Sequence, residues 1–319
     1  MITDRRASVR DRRAEFEATL TRTAEARAQE AGAATQRASL LRDALYRFAR
    51  NRAAIIAALA FVVMGAFVIF VPIFRDADPN AVDFSQSFLS PSWAHPFGTD
   101  EFGRDLFVRT ALGGRISIGI GFAATFAIML VGVVYGAVSG FAGGWVDNGM
   151  MRFLDALYGL PYLPFAIITL AIFGRVNFWT MVVALTVASW FTTARVMRGQ
   201  IITLKENDYV RAAHALGARW YRVLFRHLLP NTLGVILIFV FLELPTVVLG
   251  EAFLSFLGLG IEPPKASWGS LAQDGYTAYQ AHPYIIVIPS VCIGWLIMSA
   301  FFIADGLRDA LDPRTREKV

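Results

Sequence analysis

The sequence predicts an all-α membrane protein with six transmembrane helices and both termini in the cytoplasm. Of its 319 residues, 55% are hydrophobic and only 17% are charged, whereas a soluble domain is about a quarter charged. The apolar residues are gathered into runs long enough to cross a bilayer, and Lys and Arg are concentrated between only some of these runs. A large soluble helical core would instead need polar faces repeating every ~3.6 residues, and the runs have none.

Each predicted span is an uncharged or nearly uncharged run close to the roughly 20 residues that cross the hydrocarbon core as a helix. The first run holds 22 residues without an ionisable side chain, and the fifth is interrupted only by Glu243 and Glu251. The first run begins too late and is too long for a cleaved signal peptide, so it should remain as an anchor. The six runs are Ala53–Phe74, Ile116–Val146, Ala156–Gly174, Val176–Ala194, Leu228–Gly260 and Pro283–Ala304.

The distribution of Lys and Arg predicts how the spans are oriented, because short loops rich in these residues stay in the cytoplasm. The first 52 residues hold twelve Arg, and Arg195–Pro230 holds seven Lys or Arg. In contrast, Ile261–His282 has Lys265 alone. Both termini and Arg195–Pro230 are therefore predicted to be cytoplasmic. The short loop around Asp147–Asp155 contains only Arg152 and adds little to this assignment.

The chain is predicted to consist of four segments. In the N-terminal segment, residues 1–52, Leu41, Leu45 and Phe48 share one face of a helix that is flanked by arginines. Such an amphipathic helix suits the surface of an anionic leaflet, so membrane lipid is an expected partner. For residues 1–38 a solvated charged tail is an equally good interpretation. The segments are the extension 1–52 with its juxtamembrane helix, the first span and extracytoplasmic loop 53–115, the five-helix core 116–305 with cytoplasmic loop 199–230, and the cytoplasmic tail 306–319.

The cytoplasmic loop has more order than charge retention requires. Asp208 is predicted to cap a short helix, Tyr209–Leu216, which Gly217 ends with a positive φ in the C′ position. A second amphipathic stretch follows until Pro230 opens the next span. Its apolar face is made by Trp220, Val223, Leu224 and Leu228. Two helices parallel to the membrane and separated by a glycine would protrude from the bilayer.

This pattern resembles the EAA loop of bacterial ABC importer permeases. The resemblance is carried by Ala212 and Ala213, by Gly217 after three further residues, and by Leu-Pro230. In that family the loop is the coupling helix that docks into the ATPase subunit, and small alanines leave room for close packing. Arg211 stands where the general pattern has Glu, as it often does in the dipeptide and oligopeptide branch. The resemblance assigns coupling to Tyr209, Arg211, Ala212, Ala213, Leu216 and Gly217.

Further stretches resemble the second (C-type) permease subunit of the same branch, and together they cover roughly Leu41 to Pro313. They are His95–Asp105, Leu157–Pro161, Glu251–Gly260 and Ala266–Gly269. The resemblance implies the type I ABC importer permease fold in a bacterial inner membrane, translocating dipeptides or oligopeptides, with nickel or another small solute as the alternative. Implied partners are a second homologous permease in a heterodimer, one or two ATPase subunits that bind ATP and Mg²⁺, and an extracytoplasmic solute-binding protein. No nucleic-acid partner is expected.

The segment that follows the first span is rich in turns and acids. Gly98, Asp100, Gly103 and Asp105 favour a structural cap over the spans rather than a direct contact with substrate. A calcium loop fits poorly, because the acids lack alternating ligand spacing.

The sequence predicts no catalytic residue, cofactor or metal site in this chain. None of its three lysines follows a glycine, so it has no P-loop. The four histidines are scattered, and the single cysteine, Cys292, excludes disulfides and a Cys-based zinc site.

Glu243 and Glu251 are candidate residues of a translocation cavity, because a carboxylate within a span usually faces an aqueous path or a partner. Pro245 lies between them and can kink the helix. For Glu243 a cavity and a structural hydrogen bond are equally favoured, and for Glu251 a structural role is preferred. An ion-coupled secondary transporter would also need inverted repeats, which are not evident. A membrane scaffold would leave the ordered loop unexplained.

Overall fold

The computed structural model describes residues 45–75 and 78–311, and the predictions for residues 1–38, for Leu41 and for the tail beyond 311 lie outside it. Contacts divide the chain into a unit Arg52–Arg308 and a second unit of Met1–Asn51 with Asp309–Val319. In the second unit residues 45–50 are helical, and the Leu45 side chain is exposed. The helices that follow are α1 (Arg52–Phe74), α2 (Leu106–Ala142), α3 (Gly144–Tyr158), α4 (Tyr162–Phe173), α5 (Phe178–Lys205), α6 (Asp208–Ala215), α7 (Trp220–Val223), α8 (Leu229–Leu254), α9 (Trp268–Ala278) and α10 (Tyr284–Leu311).

The helical membrane fold predicted from the sequence is confirmed. Within the described residues five helices are long and apolar enough to cross a membrane: α1, α2, α5, α10 and the continuous helix Trp220–Leu259 that contains α7 and α8. α3 and α4 together count as a sixth span only as a pair bent by 90°. The structure therefore has five to six candidate spans, and the third predicted span is the one that differs.

That third span, Ala156–Gly174, is not one helix. α3 ends at Tyr158, and the chain turns through Gly159 and Pro161 before α4 begins. Pro161 lacks an N–H and cannot continue the hydrogen-bond ladder of the preceding helix. α4 has 12 residues, and at ~1.5 Å per residue it covers only part of a hydrocarbon core of about 30 Å.

Several helices, among them α2, α5 and α10, extend beyond the predicted spans because charged side chains lie within them. α2 begins at Leu106 rather than Ile116, since the Asp105 carboxylate caps it by accepting the N–H of Phe107 at 2.8 Å. Arg109 lies inside α2 with only 5% of its surface exposed. α5 likewise continues past Ala194, where the apolar run ends.

α2 and α5 pack closely along three glycines of α2, which we call the glycine seam: Gly132, Gly136 and Gly140. A Cβ atom at Gly140 would lie 2.7 Å from the Arg198 carbonyl oxygen, and one at Gly132 would lie 2.6 Å from the Thr193 Cβ. The four-residue spacing places the three glycines on one helix face, so the two backbones approach without side chains between them. A buried apolar core extends from this pair to α4 and α8.

Candidate functional site

The EAA-like loop, Asp208–Pro230, begins with α6. The Asn207 carbonyl oxygen accepts the N–H of Val210 at 3.0 Å and the N–H of Arg211 at 3.3 Å. Asp208 is therefore the first helical residue and not the cap, so the predicted helix start is one residue too late. Its negative charge lies in the first turn of α6, where the helix dipole favours it.

α6 ends at Ala215, one residue before the predicted end at Leu216, and Gly217 adopts the positive φ that the sequence predicts. Gly217 has a φ of +78°, and the N–H of Ala218 donates to the Ala213 carbonyl oxygen at 3.0 Å. This is the longer hydrogen bond of a Schellman cap, which needs a left-handed residue at this position. No atom outside the local chain lies within 4 Å of a Cβ placed at Gly217, so a substitution there would strain the backbone without a steric clash.

The inner face of α6 rests on the ends of other helices. Val210 is 1% exposed, and Ala213 is half-buried against the same group of residues. We call this group the loop core; its fully buried members are Ala137, Ile201, Val210, Val223, Leu224 and Leu228. Because α2, α5 and the continuous helix Trp220–Leu259 all contribute to the loop core, α6 is attached to three of the long helices.

The six residues assigned to coupling do not share one environment. Tyr209, Arg211, Ala212 and Leu216 are exposed, and Leu216 has 89% of its surface accessible. Ala213 instead faces the loop core, so its small size permits packing within this chain. The exposed members form the surface of α6 that remains available.

The second half of the loop is not a separate helix. α7 passes through a π-helical turn, Leu224–Leu228, directly into α8, giving one helical stretch from Trp220 to Leu259. The π turn ends just before Pro230, whose missing N–H cannot serve the preceding turn. The predicted apolar face is largely inward, since Val223, Leu224 and Leu228 are buried while Trp220 is 56% exposed.

Glu251 is enclosed by hydrogen-bond donors. Its carboxylate oxygens accept the hydroxyls of Ser117 at 2.8 Å and Ser255 at 2.7 Å, and no part of the residue is exposed. The Ser117 oxygen also accepts the N–H of Trp268 at 3.1 Å. The network joins α2, α8 and α9, which is the geometry of a structural anchor.

Glu243 has a different environment. It is half-buried two residues before Pro245 of α8, and among the described residues its carboxylate makes no hydrogen bond or salt bridge. The two glutamates therefore do not form a matched pair. The translocation role of either residue stays a prediction.

The segment before α2 has the geometry of a cap. Gly98 and Gly103 both have positive φ, and the Asp100 carboxylate accepts the N–H of Arg104 at 3.0 Å and its Nε at 2.7 Å. The same carboxylate lies 3.6 Å from the Nε of Arg109. Nearby is an open cavity of about 410 Å³ lined by residues that include Arg109 and Asp274. Partial burial raises the pKa of Asp274, and the positive charges of Arg109 and Arg104 oppose that rise.

Sequence reasoning missed an ion pair between Asp147, which is buried, and Arg198, which is half-buried. Asp147 is 6% exposed and bonds the Arg198 guanidinium through both carboxylate oxygens. The sequence pattern places both residues in loops and assigns them no contact. Asp147 and Asp155 both lie between the two apolar runs, so the sequence does not show which of them is buried and requires a partner.

These features define the protein as a multi-pass helical membrane protein with a helical loop projecting from its longest helices. Residues 132–317 match the family described as the binding-protein-dependent transport system inner membrane component. Residues 39–91 match the N-terminal TM domain of oligopeptide transport permease C. The chain belongs to the binding-protein-dependent transport system inner membrane component family, and it is a multi-pass protein of the inner membrane.

The sequences of three relatives align with most of this chain. The oligopeptide transport system permease protein OppC of Bacillus subtilis (strain 168) is 41% identical over 279 residues, 88% of this chain and 91% of the relative. The dipeptide transport system permease protein DppC of the same organism is 41% identical, covering 87% of each chain. OppC of Escherichia coli (strain K12) is 41% identical over 87% of this chain and 92% of its own length. All three are described as permease proteins.

Proposed function

We propose that this chain is the membrane-spanning subunit of an ATP-driven importer of dipeptides or oligopeptides. A second homologous permease, one or two ATPase subunits that bind ATP and Mg²⁺, and an extracytoplasmic solute-binding protein complete the complex. The spans work by alternating access, and no residue of this chain is catalytic. The names of the relatives support peptides as the substrate class.

The observation that carries this proposal is the surface of α6. Leu216 is 89% exposed and Tyr209 is 40% exposed, although α6 is a polar eight-residue helix outside the candidate spans. Exposed apolar side chains at the tip of a polar loop are typical of a protein contact. The loop core fixes α6 against the helices beneath it, so a partner that moves α6 would also move the spans.

The docking test replaces Leu216 with Asp in the full complex. Leu216→Asp should weaken the binding of the ATPase subunit by about tenfold or more, because the side chain would lose most of its burial in the interface. Trp93→Asp is the matched control: Trp93 is another fully exposed apolar residue, placed in the segment before α2. Retained ATPase binding by the Leu216 variant, measured by co-purification, would contradict docking at α6.

The substrate test uses the reconstituted complex in proteoliposomes. ATP-dependent uptake of a labelled dipeptide and a labelled pentapeptide is measured with and without excess nickel ions. Peptide uptake that nickel does not reduce is expected. Nickel uptake without peptide uptake would assign the complex to the alternative solute, and proton- or sodium-driven uptake by the chain alone would assign it to secondary transport.

The orientation belongs to the same proposal. With α3 and α4 taken as one broken span, six spans place residues 1–50, Arg195–Pro230 and the tail after Asp305 on the cytoplasmic side. The seven Lys or Arg of Arg195–Pro230 support this direction. α6 then lies where an ATPase subunit has access to it.

A further inference from the structure

The ion pair Asp147–Arg198 lies where three helices meet, with the Asp147 side chain 9% exposed and the Arg198 side chain 31% exposed. Asp147 is in the first turn of α3, and Arg198 is on α5. The Arg198 Nε donates to Asp147 Oδ1 and its Nη2 donates to Oδ2, each at 2.5 Å. Ser139, on the last turn of α2, donates its hydroxyl to the same Oδ1 at 2.5 Å. Bidentate, charge-assisted bonding of this kind fixes both distance and orientation.

A second contact strengthens the same junction. The Lys205 Nζ, at the end of α5, donates to the Phe141 carbonyl oxygen at 2.6 Å and lies 5.3 Å from the centre of the Phe141 ring. Phe141 is in the last turn of α2, where the free carbonyl groups of a helix favour a cation. The ends of α2 and α5 are therefore also held together by a contact beside the ion pair.

The loop core joins this junction to α6. Ile201 follows Arg198 by one turn of α5, Ala137 precedes Ser139 on α2, and both are fully buried in the loop core, to which Val210 of α6 also belongs. A displacement of α6 is therefore delivered to α2 and α5 at the point where Asp147 and Arg198 connect them to α3.

Stability alone does not account for the pair. Taking the Asp147 carboxylate and part of the Arg198 guanidinium out of water costs free energy that their attraction only partly returns. A bidentate ion pair of this kind is better suited to selecting one arrangement of the helices. On the basis of the proposed function, we propose that Asp147 and Arg198 are positioning residues for coupling, forming the joint through which movement of α6 reaches α2 and α3.

The chain offers a matched control between the same two helices. Asp155 of α3 and Arg195 of α5 also form an ion pair, through one contact of 2.9 Å, with side chains 58% and 46% exposed. An exposed pair of this kind contributes little to structure. Removal of the carboxylate charge at position 155 should therefore leave coupling unchanged.

The test compares Asp147→Asn, Arg198→Lys and the control Asp155→Asn in the reconstituted complex. The measured quantity is peptide taken up per ATP hydrolysed. Asp147→Asn and Arg198→Lys should lower this ratio by about fivefold or more, the size of a typical coupling between sites. Arg198→Lys keeps the positive charge but cannot make the bidentate contact. Asp155→Asn should keep the wild-type ratio.

Two results would overturn the joint. One is a lower yield of complex from both Asp147→Asn and Arg198→Lys while the assembled complex keeps the wild-type ratio, which would make the pair structural only. The other is the same loss of ratio in Asp155→Asn, which would make it a general charge effect.

If the wild-type complex takes up no peptide, the proposed function fails, and the joint is tested by hydrogen exchange. Asp147→Asn should then increase the exchange of the α6 amides 212–216, whereas Asp155→Asn should not. Unchanged exchange in Asp147→Asn would refute the joint.

Discussion

The glycine seam predicts how the free energy of unfolding changes when a methyl group is added at Gly136, and backbone geometry decides the sign of that change. A Cβ atom at Gly136 of α2 would lie 2.9 Å from both the Ala194 carbonyl carbon and the Arg198 nitrogen, and closer still to the Ala194 oxygen. Ordinary contact begins near 3.4 Å, so the helices would have to separate by at least 0.5 Å. All three atoms are backbone atoms of α5 and cannot rotate away, as the end of a side chain can.

The expected magnitude for Gly136→Ala is a balance of two effects. Overpacking of a well-packed contact costs about 1–3 kcal/mol, and the backbone clash places this case near the upper end. Replacing Gly by Ala inside a helix returns about 1 kcal/mol. A net loss of about 2 kcal/mol in the free energy of unfolding should remain.

The control is Gly199→Ala on α5, the other helix of the same pair. No atom outside its own turn lies within 4 Å of a Cβ at Gly199, so only the helix-propensity effect applies and the protein should gain up to about 1 kcal/mol. Unfolding of the purified complex in mixed dodecyl maltoside and dodecyl sulfate micelles, followed by far-UV circular dichroism, measures both changes. Equal changes for the two variants, or a stabilised Gly136→Ala, would refute close packing along the seam.

Three further predictions concern other parts of the chain. Gly103→Ala should loosen the segment before α2, because Gly103 has a φ of +75° and its Cβ would lie 2.8 Å from the Asp83 carbonyl carbon; faster limited proteolysis within residues 78–105 measures this, with the unobstructed Gly65→Ala as control. Glu243→Gln should reduce uptake of cationic peptides about tenfold more than uptake of matched neutral peptides, if the carboxylate lines the path; equal losses with poor assembly would make it a packing residue. In a variant lacking Cys292, an impermeant thiol reagent added outside should label cysteine at position 270 and not at 205, and the reverse would invert the topology.

The sequence predicted most of the helices because an apolar run reports burial in lipid or protein. It misplaced helix ends where charged residues lie inside helices. Arg109 was assigned to a loop, although it is 5% exposed in α2 and 3.6 Å from the Asp100 carboxylate. Composition cannot distinguish a charge that is paired within a helix from a charge that is solvated in a loop, because the sequence does not show which residue is the partner.

The bend between α3 and α4 shows a second limit. Gly159 and Pro161 are visible turn signals inside the predicted third span, but the run Ala156–Gly174 is apolar throughout. Apolar composition fixes the surroundings of a segment and leaves its direction open, so a 90° bend and a straight helix satisfy it equally. Direction comes from contacts such as that of the Tyr135 hydroxyl, which donates to the Met150 carbonyl oxygen of α3 at 2.9 Å.

The EAA-like loop shows that motif spacing does not distinguish residues that differ in their surroundings. Ala212 and Ala213 are equivalent in the motif, yet Ala212 is exposed while Ala213 rests on the loop core. Adjacent residues on a helix point about 100° apart, so one helical turn can carry both an attachment face and an open face. Under the proposed function, a partner that binds the open face acts on the loop core through a helix of only eight residues. Short length would then favour coupling, since little of the displacement of α6 can be absorbed by bending before it reaches α2, α5 and the helix Trp220–Leu259.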